Sequence, residues 1–517
     1  MREIAVISLT RFGDLIQETP LFRILKERWP DARVTLLVED RFAGLLPMIR
    51  GVDRVILMAK ERLADQIVFS PDPLVPYFSM EEFVRQVEET EYDLVINLTF
   101  SQMSAFIASL MDGKKKVGLV AGNKGERQIL SPWALYLFTN QEGNNRVFNR
   151  LNLVDHFTLL GGVSPDGRPV ELHETERGKS FAESFLDEKG LAGARFVGLQ
   201  MGASDPIRCW PPEYFARLSD MLAERMGIRT VLFGGPGEEQ LANRALSAMR
   251  HPAVSAVGAT SIEELFSLVK RSSLLVTNDT GTMHFAAAGG VPSLMLCIGP
   301  AIFHGTGPYS EGNCAMQADI PCAPCRYNFN CPDPVCREML TADAVFQVCL
   351  DMLEGRRGCE SVNGIKVYRS LFDGDGFLAW QRWDGGDNGE DEMASRYSRM
   401  WRNCLKDGST PPKDTGSVAK DVEEVARLAL KGVDISRRIA MAAGRKSPSL
   451  DELGKLGDAE SGLAGTLKIR RSLEPHNAPL IDFFSLMRDN IVADDLRIIA
   501  GETLKCYEWL GYLASRL

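Results

Sequence analysis

No stretch of this 517-residue sequence is both long enough and apolar enough to cross a bilayer as a helix. The longest uncharged apolar stretch, Phe285 to Phe303, is interrupted by Gly289, Gly290, Pro292, Gly299 and Pro300, and reads as a helix end, a turn and a buried strand. A positive excess is missing too. Lys and Arg number 59 against 69 Asp and Glu, a net charge of −10, so the surface as a whole repels nucleic acid and excludes it as an expected partner. The opening MREIAVISLTRFGD has only a short apolar run between charges and no small-residue cleavage site, which makes a cytoplasmic location the expectation. Eleven cysteines in such a chain are not read as a disulfide framework. What remains, 45% hydrophobic and 25% charged, is a globular composition with material for two to four domains at roughly 100 to 200 residues each.

The first third alternates buried β-branched runs with amphipathic segments. Glu3 to Leu9 and Arg33 to Val38 read as parallel strands, with a helical pattern at Leu15 to Trp29 between them. Further strands are expected at Arg54 to Met58 and Asp93 to Leu98, with a helix at Met80 to Glu89. A second alternating block begins near residue 195, with strands at Phe196 to Met201, Arg229 to Phe233, Leu274 to Thr277 and Pro292 to Leu296. The fold class expected is α/β, two Rossmann-like doubly wound domains facing a cleft, with a C-terminal helical extension. The boundaries expected are 1–175 and 190–355 for the two domains, 356–415 for a loop-rich linker (GRRGC, DGDG, WDGGDNGEDE), and 416–517 for the extension. Within the extension, helical periodicity runs over Val418 to Ala443 and Pro479 to Leu517.

Four blocks sit where strands of such sheets end and ligands bind. In Thr10-Arg11-Phe12-Gly13-Asp14, after the first strand, Asp14 is a candidate base, or else a carboxylate that merely caps the helix. Gly202-Ala203-Ser204, followed by Arg208, offers close backbone approach and a positive charge to a phosphate. Gly234-Gly235-Pro236-Gly237 precedes Glu238 and Glu239, either of which suits ribose hydroxyls, though an ordinary turn explains the pattern equally well. In Asp279-Thr280-Gly281-Thr282-Met283-His284, Thr280 and Gly281 are placed at a helix N-terminus and His284 one turn further on.

Taken together, RFGDLIQETPLFRILKERWPDARV, GLQMGASDPIRCWPPEYFARL, LFGGPGEE and TNDTGTMHFAAAGGVP resemble the heptosyltransferase family, inverting transferases of the GT-B fold (glycosyltransferase family nine). The resemblance runs from Arg2 to about Leu353. It implies sugar transfer from a nucleotide-diphosphate donor, such as an ADP-heptose, to a lipopolysaccharide, other glycan or protein acceptor, with Asp14 as general base and no metal required for catalysis. It places Gly202, Ser204, Arg208, Glu238 or Glu239, Asp279, Thr280, Gly281 and His284 on the donor, and Thr10, Arg11 and Gly13 on the acceptor side. Arg208 departs from the Lys of several members, which changes donor geometry. An acceptor carried in a membrane implies peripheral contact at the inner membrane face, for which Lys114, Lys115, Lys116, Lys124 and Arg127 are the basic candidates.

Cys322, Cys325, Cys331 and Cys336 form a C-x2-C-x5-C-x4-C cluster, a candidate structural zinc or iron-sulfur site, or a loop of reduced thiols. Two other functions fit the same architecture. One is a non-catalytic docking or assembly protein that engages a protein partner through its C-terminal helices; the other is a nucleotide-sugar epimerase.

Overall fold

Short buried β-branched runs joined by amphipathic helices pack as parallel sheets, because each crossover helix covers a face of the sheet it connects. The computed structural model describes residues 2–141, 143–325, 331–386, 389–405, 422–445, 449–493 and 495–516. The chain divides into two units, one comprising Met1–Val117 with Leu151–Asn388, the other Gly118–Arg150 with Gly389–Leu517.

The first unit holds both expected sheets. In the N-terminal one, β1 (Glu3–Ser8), β2 (Arg33–Glu39), β3 (Arg54–Met58), β4 (Leu94–Asn97) and the start of β5 (Lys116–Ala121) lie in the order β3-β2-β1-β4-β5, all parallel. The helical pattern expected at Leu15 to Trp29 is two helices, Phe12–Gln17 and Thr19–Arg28, which meet at Glu18. Pro20 accounts for the break: it has no N–H to donate and suits only the first turn of the second helix.

The C-terminal sheet follows the same logic. With β6 (Arg127–Leu130) assigned to the second unit, its strands are β7 (Phe196–Gln200), β8 (Arg229–Phe233), β9 (Val254–Ser255), β10 (Leu274–Asn278), β11 (Ser293–Cys297), β12 (Cys314–Ala318), β13 (Ile365–Phe372) and β14 (Leu378–Arg382). Their order is β14-β13-β12-β11-β10-β7-β8-β9. The five-residue runs FVGLQ and SLMLC are buried along their whole length, as strands covered on both faces must be. Trp210, Phe215, Leu218 and Leu222 of the following segment pack beneath them.

The linker expected at 356–415 is not all loop. β13 and β14 form a hairpin that extends the sheet antiparallel to β12, and Gly389–Leu405 is a helix; residues 406–415 lie outside the described residues. The DGDG that reads as linker is the hairpin turn. Asp373 Oδ1 accepts the N–H groups of Asp375 and Phe377, both at 3.0 Å, and Gly376 supplies the positive φ of 85°. The two domain ranges shift accordingly, since 118–150 leaves the expected N-terminal domain and the C-terminal one extends past residue 355.

In the second unit the rest of β5 pairs antiparallel with β6, and Asn490 clamps β6 by donating to the Ile129 carbonyl (3.0 Å) and accepting its N–H (2.7 Å). Helices Pro132–Gln141, Gly389–Leu405, Ala478–Asp489 and Leu496–Ala514 build an aromatic core, while Glu423–Ala443 and Leu450–Leu473 meet Leu496–Ala514 in an aliphatic cluster of Ile439, Ala442, Leu456 and Ala500. In the aromatic core Tyr136 meets Trp401 edge-on with centroids 5.3 Å apart, and Trp401 meets Phe483 at 4.8 Å. The extension is therefore a unit with its own core, built around an insertion from the first third of the chain. Helix Leu450–Leu473 escaped the periodicity argument because Gly454, Gly457, Gly462 and Gly465 dilute it. None of the helices in the described residues is long and apolar enough to cross a membrane.

Gly432 lies in a helix interior, where alanine ordinarily adds up to about 1 kcal/mol. Here a Cβ would run into the Tyr507 ring. Gly432→Ala is expected to destabilise this unit by roughly 1–3 kcal/mol, read as a lowered unfolding midpoint; an unchanged or raised midpoint counts against the packing described.

Candidate active site

β1 ends at Ser8, and the chain turns through Leu9, whose N–H donates to Thr99 Oγ1 at 2.7 Å, into helix Phe12–Gln17. Asp14 is the third residue of that helix. Its carboxylate accepts the Arg11 backbone N–H at 3.3 Å, so the capping role is real, yet one carboxylate oxygen is enough for it. Burial raises the Asp14 carboxyl above its ordinary range; Arg11 and the Thr10 hydroxyl draw it back, and Asp279 pushes it up again. A raised value makes a better proton acceptor. Arg11 itself is exposed, and the Thr10 carbonyl accepts from Arg41 Nη2 at 3.5 Å.

The two halves meet at this turn. A Cβ on Gly13 would lie 2.9 Å from His284 Cδ2 and 3.4 Å from the Gly281 Cα, while a Cβ on Gly281 would lie 2.9 Å from the Phe12 ring. Phe12 packs edge-on against Phe285 with centroids 5.2 Å apart. Glycine at both positions is what allows the approach. His284 is buried, and its Nδ1 makes no hydrogen bond among the described residues. Burial lowers it to about 3, so the imidazole is neutral at neutral pH.

On the C-terminal side, β10 delivers Asp279. A short turn, Pro206–Arg208, is fixed by Asp205 accepting the Ile207 N–H at 3.1 Å, and it presents Arg208, whose Nη1 reaches Asp279 Oδ2 at 3.1 Å. Both side chains are about nine-tenths buried, at 10% and 13% exposed. Asn278 anchors the same turn by accepting the Trp210 N–H at 3.0 Å and donating to the Met201 carbonyl. Trp210 is fully buried and donates its indole N–H to Leu340 at 2.6 Å. Helix Thr282–Ala288 begins as the sequence implies, with Gly281 as its cap and Thr280 immediately before.

Glu238 and Glu239 part company. The Glu238 carboxylate accepts from Gln200 Nε2 at 3.2 Å and Gly235 N–H at 3.0 Å, and it occupies the space a Cβ on Gly202 would need. Gln200 in turn accepts from Thr282 Oγ1 at 3.0 Å, which links the ends of β7 and β8 to the helix after β10. The Glu239 carboxylate instead accepts the Gly237 N–H at 2.8 Å and faces Gly258, away from β7. Ser204 is exposed on the loop after β7, and none of these hydrogen bonds involves it.

Of the cluster cysteines, Cys322 is exposed, Cys325 and Cys331 are half-buried, Cys336 is buried, and all are reduced. Burial raises the Cys325 thiol, and Cys336, Cys322 and Cys331 raise it further. Among the described residues no group of three or more His, Cys, Asp or Glu side chains is placed to hold a metal ion; residues 326–330, inside the cluster, lie outside those residues. The basic run is in part neutralised, since Lys114 pairs with Asp93 at 2.9 Å and Glu91 at 3.7 Å.

Two residues were passed over in the sequence. Gln200 was hidden as the last residue of an apolar strand. Glu18, one helical turn beyond Asp14, is fully buried, with Ser8 Oγ donating to its Oε1 at 2.7 Å and Oε2 without a partner among the described residues. A carboxylate in the otherwise apolar face of LIQETPLF was the signal available. Burial pushes Glu18 well above its ordinary 4.5, and Asp14 adds to the shift. The stability tied to this group is present below about pH 4.5 and lost as pH rises towards its folded-state value. Glu18→Gln cannot ionise, so its melting temperature is expected to gain on that of the parent steadily from about pH 4.5 upwards. Parallel curves from pH 4 to 8 would refute it.

Residues 80–333 match the model of glycosyltransferase family 9 (heptosyltransferase). The lipopolysaccharide heptosyltransferase 3 of Escherichia coli is 26% identical over 296 residues, 55% of this chain and 80% of that protein. A glycosyl transferase family 9 structure from Veillonella parvula superimposes with a TM-score of 0.53 at 19% identity, over 68% of this chain and 97% of that one. The E. coli ADP-heptose LPS heptosyltransferase II does so at 0.50 and 21%, over 69% and 99%. The two facing Rossmann-like sheets are thus a GT-B fold, and the chain is similar to the glycosyltransferase family 9 heptosyltransferases over residues 80–333.

Proposed function

We propose that this protein is an inverting glycosyltransferase that moves a sugar from a nucleotide-diphosphate donor to a hydroxyl of a glycan acceptor, with ADP-heptose and a lipopolysaccharide core as the reference pair. The observation that carries this reading is the approach of the Phe12–Gly13 turn to Gly281 and His284, which sets Asp14 beside the Asp279–Arg208 pair. A carboxylate and a guanidinium held by its own acidic partner then flank one point. Asp14 takes the proton of the acceptor hydroxyl as its oxygen attacks the anomeric carbon. The bond from that carbon to the β-phosphate oxygen breaks, and its electron pair leaves with the nucleoside diphosphate. Attack opposite the leaving group inverts the anomeric centre. Thr10, Arg11 and Gly13 form the acceptor side of this turn.

Charge growing on the leaving diphosphate needs donors that are already aimed. Arg208, held by Asp279, supplies a guanidinium fork, and the backbone at Thr280 and Gly281 supplies N–H groups without side-chain hindrance. Gly202 and Ser204 line the same approach from the end of β7. The neutral His284 adds a hydrogen-bonding group without a fixed charge. Glu238 is the carboxylate for the ribose, because it lies against Gly202 at the sheet end where Arg208 follows, whereas Glu239 turns away. These groups handle the leaving charge without calling on the cysteine cluster.

In a turnover assay with ADP-heptose and lipopolysaccharide core, Asp14→Asn is expected to lose at least roughly 100-fold in kcat with donor affinity nearly unchanged. In the same series Glu238→Gln is expected to weaken ADP binding by about tenfold and Glu239→Gln to leave it intact. Near-parental turnover in the first variant reduces Asp14 to a cap, and equal effects in the other two remove the ribose assignment.

An acceptor borne by a lipid surface fits the apolar face of helices Lys60–Phe69 and Leu74–Glu88. Phe69, Tyr77 and Phe78 are 76%, 59% and 58% exposed there, and aromatic side chains favour the bilayer interface. Phe69→Asp with Phe78→Asp is expected to reduce sedimentation with lipid vesicles at least severalfold; undiminished sedimentation moves the contact elsewhere.

A further inference from the structure

The second unit contains a cavity of about 400 Å³ between helix Gly389–Leu405 and the end of helix Leu496–Ala514. That volume falls within the range of ligand sites, roughly 300–1,000 Å³. Arg396, Arg399 and Asn403 line it from one helix, spaced by three and four residues so that they share a face, and Arg516 and Tyr512 line it from the other. No carboxylate lines it among the described residues.

The pattern stands out against the rest of the unit. Arg427, Arg437, Arg445, Arg470, Arg471 and Arg488 all pair with carboxylates: Glu424, Glu508, Glu452, Glu474, Asp482 and Glu460 respectively. Arg399 and Arg516 are both exposed at the cavity, and neither forms an ion pair among the described residues. Like charges held together without a counter-charge cost stability, and a protein of net charge −10 has carboxylates to spare for neutralising them. Helix dipoles favour a cation near each C-terminus by roughly 0.3–1 kcal/mol. Arg402 already occupies the last turn of helix Gly389–Leu405, so that preference does not account for Arg399.

The polar groups are also fixed. The Arg516 guanidinium carbon lies 5.3 Å from the centroid of the Tyr512 ring, a cation–π contact that holds it at the rim. Tyr512 is itself buried, with its hydroxyl near the Cys404 thiol, and burial keeps that hydroxyl protonated as a donor. The cavity thus offers guanidinium forks, a carboxamide and a phenol, which match the oxygens of a phosphate group.

We propose that this cavity binds a phosphate-bearing ligand, either a soluble phosphate ester or a phosphorylated lipid headgroup, at a site separate from the sugar-transfer centre. The full-length protein, with its donor cleft saturated by ADP, is titrated calorimetrically with pyrophosphate and, separately, sedimented with vesicles containing phosphatidic acid. The parent protein is compared with the Arg399→Gln, Arg516→Gln double variant. Both side chains are exposed, so an unchanged melting temperature verifies that the variant folds, and the Arg399→Lys, Arg516→Lys pair tests charge against fork geometry.

At least a tenfold loss of pyrophosphate affinity in the Gln variant, with partial recovery in the Lys variant, supports the site and assigns it to soluble phosphates. Loss confined to vesicle binding supports it and assigns it to a headgroup. Equal binding of both probes by parent and Gln variant, or binding of neither probe by the parent, overturns the proposal. Because transfer activity is not the readout, failure here leaves the assignment of Asp14 and Arg208 standing.

Discussion

The contact on which the rest of the site depends is the packing of the Phe12–Gly13 turn against Gly281 and His284. A Cβ at either glycine would enter space already filled by His284 or by Phe12. With neither present, the Asp14 carboxylate on one Rossmann-like sheet and an ion pair on the other come to face each other. Phe12 and Phe285 supply the apolar contact that keeps the turn seated. Burial at this junction raises Asp14, keeps His284 neutral and protects the Arg208–Asp279 pair from solvent. Geometry and electrostatics have one source.

Around that contact the charged residues are supported by neutral ones. Asn278 ties Trp210 and Met201 to the end of β10, and Gln200 ties Thr282 to Glu238. A guanidinium–carboxylate pair out of water is stable only if its neighbours hold it in register. Here a fully buried indole and two side-chain amides provide that support. Glu18 shows the opposite case: a buried carboxyl whose second oxygen has no partner among the described residues, tolerated one turn from Asp14 at a cost in stability.

The second unit changes the reading of the tail. Residues 118–150 interrupt the first Rossmann-like domain in sequence and supply a hairpin strand and a helix to a core made otherwise by residues 389–516. Gly432 admits Tyr507 there, and Asn490 holds β6 by its backbone. The arginine-lined cavity belongs to the surface of this unit.

The sequence alone determined the alternating α/β architecture, because buried parallel strands such as EIAVIS and SLMLC need continuous apolar runs that periodicity exposes. It also located the four loops at the strand ends, where glycine, aspartate and threonine recur. It could not part Glu238 from Glu239, since adjacent residues look alike until one faces Gly202 and the other Gly258. It misread 365–382 as linker, because a DGDG turn is the same string in a hairpin as in a loop. It also hid the joining of 118–150 to the C-terminal helices. Local preference is written in neighbouring residues; which distant surfaces meet is decided only when side chains more than two hundred residues apart, such as Tyr136 and Trp401, compete to leave water together.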